Sequence, residues 1–156
     1  MSKSLKRVKA ALKAAGIAAE VREMDSETRT AAQAAAEAGC EIDQIAKSII
    51  FKGTQSGHAI LFITAGGNQV DHAKAGALTG EPLGKADAAL IRAETGFAIG
   101  GVAPVGLITK LRTFLDPRLL EFSTVWAAAG TPRHIFPVDP RNLVEMTGAQ
   151  VTDFII

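Results

Sequence analysis

A chain of 156 residues that is 47% apolar and 21% charged is long enough to bury a hydrophobic core and too apolar to stay disordered. Its 17 basic and 16 acidic residues leave a formal charge of +1, so there is no general drive toward nucleic acid and any RNA contact must come from a local patch. The lone cysteine, Cys40, rules out an internal disulfide and a cysteine zinc site, and no apolar run is long enough to cross a bilayer.

Met1 to Arg7 lead into a charged helical pattern rather than an apolar signal core, so the cytoplasm is the expected location. Leu5, Val8 and Leu12 share one helical face, Lys3, Lys6, Lys9 and Lys13 lie mostly opposite, and Gly16 stops the helix. The basic face reads as a solvated surface or as a contact for the acceptor end of an RNA. Residues 21–24 suit a short strand. Thr30-Ala31-Ala32-Gln33 has capping-box spacing and opens a short helix that ends at Gly39. Residues 46–51 and 59–64 read as paired buried strands, joined by a hairpin turn over 53–57.

Gly66-Gly67-Asn68 makes a turn. Asp71 caps a helix over 72–78 that Gly80 ends, and Asp87 caps another through Glu94, ended by Gly96. After a Gly-rich loop, residues 107–115 return as extended chain and Asp116-Pro117 turns it. Strands are expected over 124–128 and 134–138. Asp139-Pro140 starts a helix that ends near Gly148, and residues 151–156 form a last strand. Helices and strands mix without a strict βαβ repeat, a linker or an internal repeat. Residues 1–156 therefore read as one compact α/β domain of mixed α+β type.

Two features carry chemistry. Gly100-Gly101-Val102-Ala103-Pro104-Val105-Gly106 has too much Gly and Pro for a helix or regular strand. It suits an ordinary tight turn, and it equally suits a loop that aims several backbone N–H groups at a carbonyl, carboxylate or phosphate. Lys47 stands in an otherwise apolar strand, on the same side as Ile49 and Phe51. It reads as a pocket cation for a phosphate or carboxylate, or as a strand-end lysine that snorkels to water. His58, His72 and His134 lie far apart with no carboxylate cluster, so no metal site is expected. No serine sits in a nucleophile elbow, and the Gly-rich run is no Walker loop. Tyr is absent and Trp126 is the only tryptophan, which argues against a platform for stacking bases.

Several segments together resemble a known family: Ala46-Lys47-Ser48-Ile49-Ile50-Phe51-Lys52, the Gly-x-x-x-Pro loop from Gly100 to Pro104, Thr28-Arg29-Thr30-Ala31-Ala32 with Ala35-Ala36, Val70-Asp71-His72-Ala73-Lys74, and the closing stretches 126–130 and 143–148. In order and spacing they resemble the YbaK/EbsC type of aminoacyl-tRNA editing domain, which stands free or is inserted in bacterial prolyl-tRNA synthetases. The resemblance implies a curved, partly barrel-like mixed sheet flanked by helices. It implies a deacylase that hydrolyses, in trans, the ester of a small wrong amino acid on proline tRNA, with no metal or organic cofactor. Its partners would be the acceptor end of the aminoacyl-tRNA and a prolyl-tRNA synthetase. Lys47, Gly100 and Gly101 are then the catalytic candidates. Pro104 and Gly106 belong to the substrate loop with Val102 and Ala103, and Thr30 and Ser48 complete the substrate-binding set. His134 is a further candidate without a family role, and it also fits an ordinary strand histidine. Two other readings stay open: a non-catalytic RNA- or DNA-binding module using the basic N-terminal helix, and a Schiff-base enzyme using Lys47.

Overall fold

The computed structural model describes residues 2–28 and 30–156, so Met1 and Arg29, both within motifs read above, lie outside the described residues. Helix α1 (Lys3–Ala14) begins where the Ser2 hydroxyl accepts the Leu5 N–H at 3.0 Å. Its Leu5, Val8 and Leu12 are buried, each stabilising by about 1.5–3 kcal/mol. The lysines of the opposite face are exposed. Strand β1 is two residues, Arg22–Glu23. Thr30 caps α2 (Ala31–Ala38), its hydroxyl accepting the Gln33 N–H at 3.1 Å, and Gly39 ends the helix at φ +72°.

The central hairpin is β2 (Ile45–Gly53) with β3 (Ala59–Ala65), antiparallel throughout the overlap. Helix α3 (His72–Thr79), strand β4 (Leu83–Lys85) and helix α4 (Ala88–Thr95) follow, with Asp71 and Asp87 as the expected side-chain caps. Next come β5 (Arg112–Leu115), β6 (Val125–Ala128), β7 (His134–Val138), α5 (Pro140–Thr147) and β8 (Gln150–Val151). The eight strands form one mixed sheet in the order β1-β7-β6-β2-β3-β5-β8, with β4 also on β2. β2 pairs with β6 in parallel and β3 with β5 in parallel.

Strand alternation separates the two larger of three core clusters, the third joining Ala34 and Ala35 of α2 to Ile45. Leu61 and Ile63 pack with Leu115, Val125, Phe136 and the apolar stripe of α1. Ile60 and Phe62 pack with Phe114, Phe154 and Ala75 of α3. Phe62 stacks on Phe114 at 5.1 Å and meets Phe154 edge-on at the same centroid distance.

Two predicted strands are shorter than expected. Over 107–111 the chain does not join the sheet. Instead the Ile108 and Thr109 N–H groups donate to the Thr95 and Glu94 carbonyls, both at 3.2 Å, and so satisfy the open end of α4. The segment 151–156 contributes only Val151 to β8, and then a single bridge from Ile155 to Val70. β4 and two 3₁₀ turns, Ile42–Gln44 and Pro117–Glu121, were not anticipated.

Candidate active site

The strand that bears Lys47 is incomplete on one edge. β6 pairs with it at Ile45 and Ala46, β4 pairs with it from Phe51 to Gly53, and residues 47–50 have neither partner. A cavity of about 360 Å³ opens at this gap. Lys47 and Ser48 form its floor, Thr30 and Ala34 one wall, and Ile91, Ile99, Gly100 and Val102 the other. The lysine strand and the Gly-rich loop, 53 positions apart from Lys47 to Gly100, therefore face one space.

A network behind the cavity holds Lys47. Its ammonium donates to the Asn68 carbonyl at 2.6 Å. The Asn68 side-chain amide donates to Asp116 Oδ2 at 2.9 Å, and the same oxygen takes the Ala65 N–H at 3.1 Å. Asp116 is fully buried, and its other oxygen accepts the Arg118 N–H at 2.9 Å. Asp43 accepts from the Gly67 N–H and from Arg118 Nε, both at 2.9 Å. Partial burial pushes the Lys47 pKa down, while the Asp116 and Asp43 carboxylates pull the other way. One ammonium proton is used on Asn68, which leaves two for a ligand. The turn requires glycine because a Cβ on Gly66 would collide with the Ile42 carbonyl.

The loop is held from both sides. Gly100 adopts φ +93°, and Gly101 lies so close to Thr131 that a Cβ would sit 2.8 Å from its Cα. The Gly101 N–H is committed to the Ala98 carbonyl at 3.1 Å, so it is not free to hold a ligand. The Gly100 and Val102 N–H groups bond to no described residue. Ala103 and Pro104 are buried and anchor the loop rather than line the cavity. Pro104 and Gly106 border a different cavity of about 470 Å³, between α1 and β5.

His134 also lies elsewhere. It pairs with Glu23 across β1–β7, bonds Thr131 Oγ1 through Nδ1 at 2.6 Å, and borders a third cavity with Lys9 and Pro132. Thr30 reaches the site, but its hydroxyl already serves as the cap of α2. Of the predicted residues, Lys47, Ser48, Thr30, Gly100 and Val102 converge; Gly101, Ala103, Pro104, Gly106 and His134 do not line this cavity. The sequence reading missed Asn68, Asp116, Asp43 and Arg118. The one available signal was the Gly66-Gly67-Asn68 turn, which marks a close approach of chains. It also missed Arg7, whose guanidinium donates to the carbonyls of Gly96 at 2.8 Å and Gly106 at 3.2 Å.

Among the described residues no three His, Cys, Asp or Glu side chains gather as a metal-ligand set. No helix among the described residues is long and apolar enough to cross a membrane.

Residues 25–146 match the family model of the aminoacyl-tRNA editing domain. A solved structure of a candidate trans-editing enzyme for prolyl-tRNA synthetase is 46% identical, aligns with all of this chain and 99% of its own, and superposes with a TM-score of 0.92. A structure from work on epitope grafting onto scaffold proteins by computational design is 44% identical, with the same coverage and a TM-score of 0.92. The uncharacterised protein YwhH of Bacillus subtilis strain 168 is 31% identical over 132 residues, 85% of this chain and 83% of that protein.

Proposed function

This chain belongs to the aminoacyl-tRNA editing domain family, and we propose that it is a free-standing deacylase that hydrolyses mischarged tRNA in trans. The observation that carries this reading is the convergence of Lys47, Gly100 and Val102 on one small cavity, the Gly100 and Val102 N–H groups bonding to no described residue. In this reading the Lys47 ammonium holds the terminal phosphate or ribose and so places the ester. The Gly100 and Val102 N–H groups polarise the ester carbonyl and stabilise the oxyanion that forms when water adds. Collapse of that intermediate breaks the acyl–oxygen bond. The free amino acid leaves, and the proton from water ends on the ribose hydroxyl. An aminoacyl ester is already reactive, so no protein nucleophile is needed.

Proline tRNA carrying a small wrong residue (alanine, cysteine, serine, threonine or 2-aminobutyrate) is the proposed substrate, with prolyl-tRNA synthetase as a partner and the cytoplasm as the setting. The 46% identity to a candidate trans-editing enzyme for prolyl-tRNA synthetase supports the choice of tRNA. A single methylene discriminates by only ~1–3 kcal/mol, so a cavity with Ala34, Ile91 and Ile99 in its walls would select chiefly by excluding larger residues.

The test is a panel of mischarged tRNAs incubated with the purified protein and with Lys47→Ala. Release of a small amino acid from proline tRNA is expected, slowed about 100-fold or more in the variant. Full activity of Lys47→Ala would remove Lys47 from the mechanism. Salt-sensitive tRNA binding without any release would favour a binding module instead.

A further inference from the structure

The break in the sheet has a polarity of its own. Across the hairpin the Gly53 N–H donates to the His58 carbonyl at 3.0 Å. Antiparallel ladders alternate, so the main-chain groups of Phe51, Ile49 and Lys47 also turn toward β3, and those of Ser48 turn toward the opposite edge. That edge is the open one. No described residue bonds the Ser48 N–H or carbonyl, and neither β6 nor β4 pairs with it. Ser48 Oγ is also the one buried side-chain polar atom among the described residues with no hydrogen-bond partner. The main-chain donor and acceptor of Ser48 therefore meet no described partner at the open edge beside the cavity, and its hydroxyl is buried.

Unpaired strand edges template the addition of another strand. The gap of four residues is about 13 Å long, room for one aminoacyl unit and its ribose. An α-aminoacyl group carries an acceptor, the acyl oxygen, and a donor, the α-ammonium, in the spacing of a single residue.

Building on the deacylase reading, we propose that the aminoacyl group docks on Ser48 as a one-residue strand. The α-ammonium donates to the Ser48 carbonyl. The acyl oxygen accepts the Ser48 N–H, while the Gly100 and Val102 N–H groups approach its other lone pair. The amino-acid side chain then leaves the strand axis toward the apolar lining residues Ala34 and Ile91. The substrate class follows: esters with a free α-amine are taken, and N-acylated esters such as peptidyl-tRNA are refused.

The test uses one tRNA carrying alanyl, propionyl or N-acetylalanyl esters, with wild type and Ser48→Pro, which lacks the main-chain donor. Single-turnover rates are normalised to the spontaneous hydrolysis of each ester. Propionyl and N-acetylalanyl esters should react about 10- to 100-fold more slowly than alanyl, the loss of a charge-assisted hydrogen bond. Ser48→Pro should slow the alanyl ester about 10-fold or more, through loss of the N–H that holds the acyl oxygen. Equal wild-type rates for alanyl and propionyl esters, or full alanyl activity in Ser48→Pro, would overturn the proposal. Hydrolysis of no ester above its spontaneous rate would instead sink the deacylase reading, and the docking mode with it.

Discussion

Arg7 should be the most sensitive polar residue outside the cavity, because it fastens α1 to both ends of the Gly-rich segment. Its Nη2 donates to the Gly96 carbonyl at 2.8 Å, its Nε donates to the Gly106 carbonyl at 3.2 Å, and its guanidinium lies 4.8 Å from the centroid of the Phe97 ring. The chain at Gly106 rests on the helix, so that a Cβ there would meet the Arg7 backbone at 3.1 Å. A hydrogen bond from a charged donor contributes about 1.5–3 kcal/mol, and the longer of the two contributes less. The ring contact adds about 0.5–1 kcal/mol. Arg7 is partly exposed, so water recovers some of this on truncation. Arg7→Ala should then cost about 2–4 kcal/mol in urea denaturation followed by circular dichroism, or about 5–15 °C in Tm. Arg7→Lys should recover less than half, since one ammonium cannot reach both carbonyls in the geometry of the planar fork. A loss below about 1 kcal/mol for Arg7→Ala, or full recovery by lysine, would refute this account of how the loop is held.

The remaining predictions concern the loop, the buried network and the lysine. Gly101→Ala places a methyl 2.8 Å from the Thr131 backbone, so it should destabilise by about 1–3 kcal/mol in the same assay and displace the Gly100 and Val102 amides, lowering deacylation. A variant as stable as wild type would show that the contact gives way freely. Asp116→Ala strands the Ala65, Arg118 and Asn68 donors and should cost about 2–4 kcal/mol, whereas Asp116→Asn, which keeps an acceptor, should cost less. Equal losses for the two would point to packing alone. Burial holds the Lys47 pKa below its ordinary 10.5, so between the lowered value and 10.5 the unfolded chain binds more protons than the folded one. Wild type should therefore gain stability relative to Lys47→Met as pH rises through that window, measured by urea melts at stepped pH, and a flat or falling difference would contradict the burial effect.

What could be read in the sequence was local. Thr30, Asp71, Asp87 and Asp139 each cap the helix expected of them, and Gly39, Gly80, Gly96 and Gly148 end those helices in the left-handed region. These signals need only a few neighbouring residues. Lys47 and the Gly-rich loop stood out because a cation in an apolar strand and a run of Gly and Pro each break a local rule. The rest depends on partners distant in the chain. β4 is three residues whose strand character comes from the edge of β2. Asp116 looked like a turn residue, and only the fold sets it against Asn68 and so behind Lys47. His134 looked equally suited to a site or to the sheet, and its bond to Thr131 puts it outside the cavity of Lys47. Arg7 was hidden among the lysines of α1, since nothing near it in sequence announces the carbonyls it binds.

The two edges of the lysine strand have different folding histories. β2 and β3 meet through a short turn, whereas Ile45 finds Trp126 only after most of the chain has been made. Closing so long a loop carries the larger entropic barrier, so the hairpin should gather early and the parallel edge late. A nascent chain still lacking β6 would own every residue that lines the cavity yet leave Ile45 and Ala46 unpaired beside the lysine; pulse-labelled amide exchange that protected Ala128, whose N–H turns to β2, before Phe62 would reverse that order.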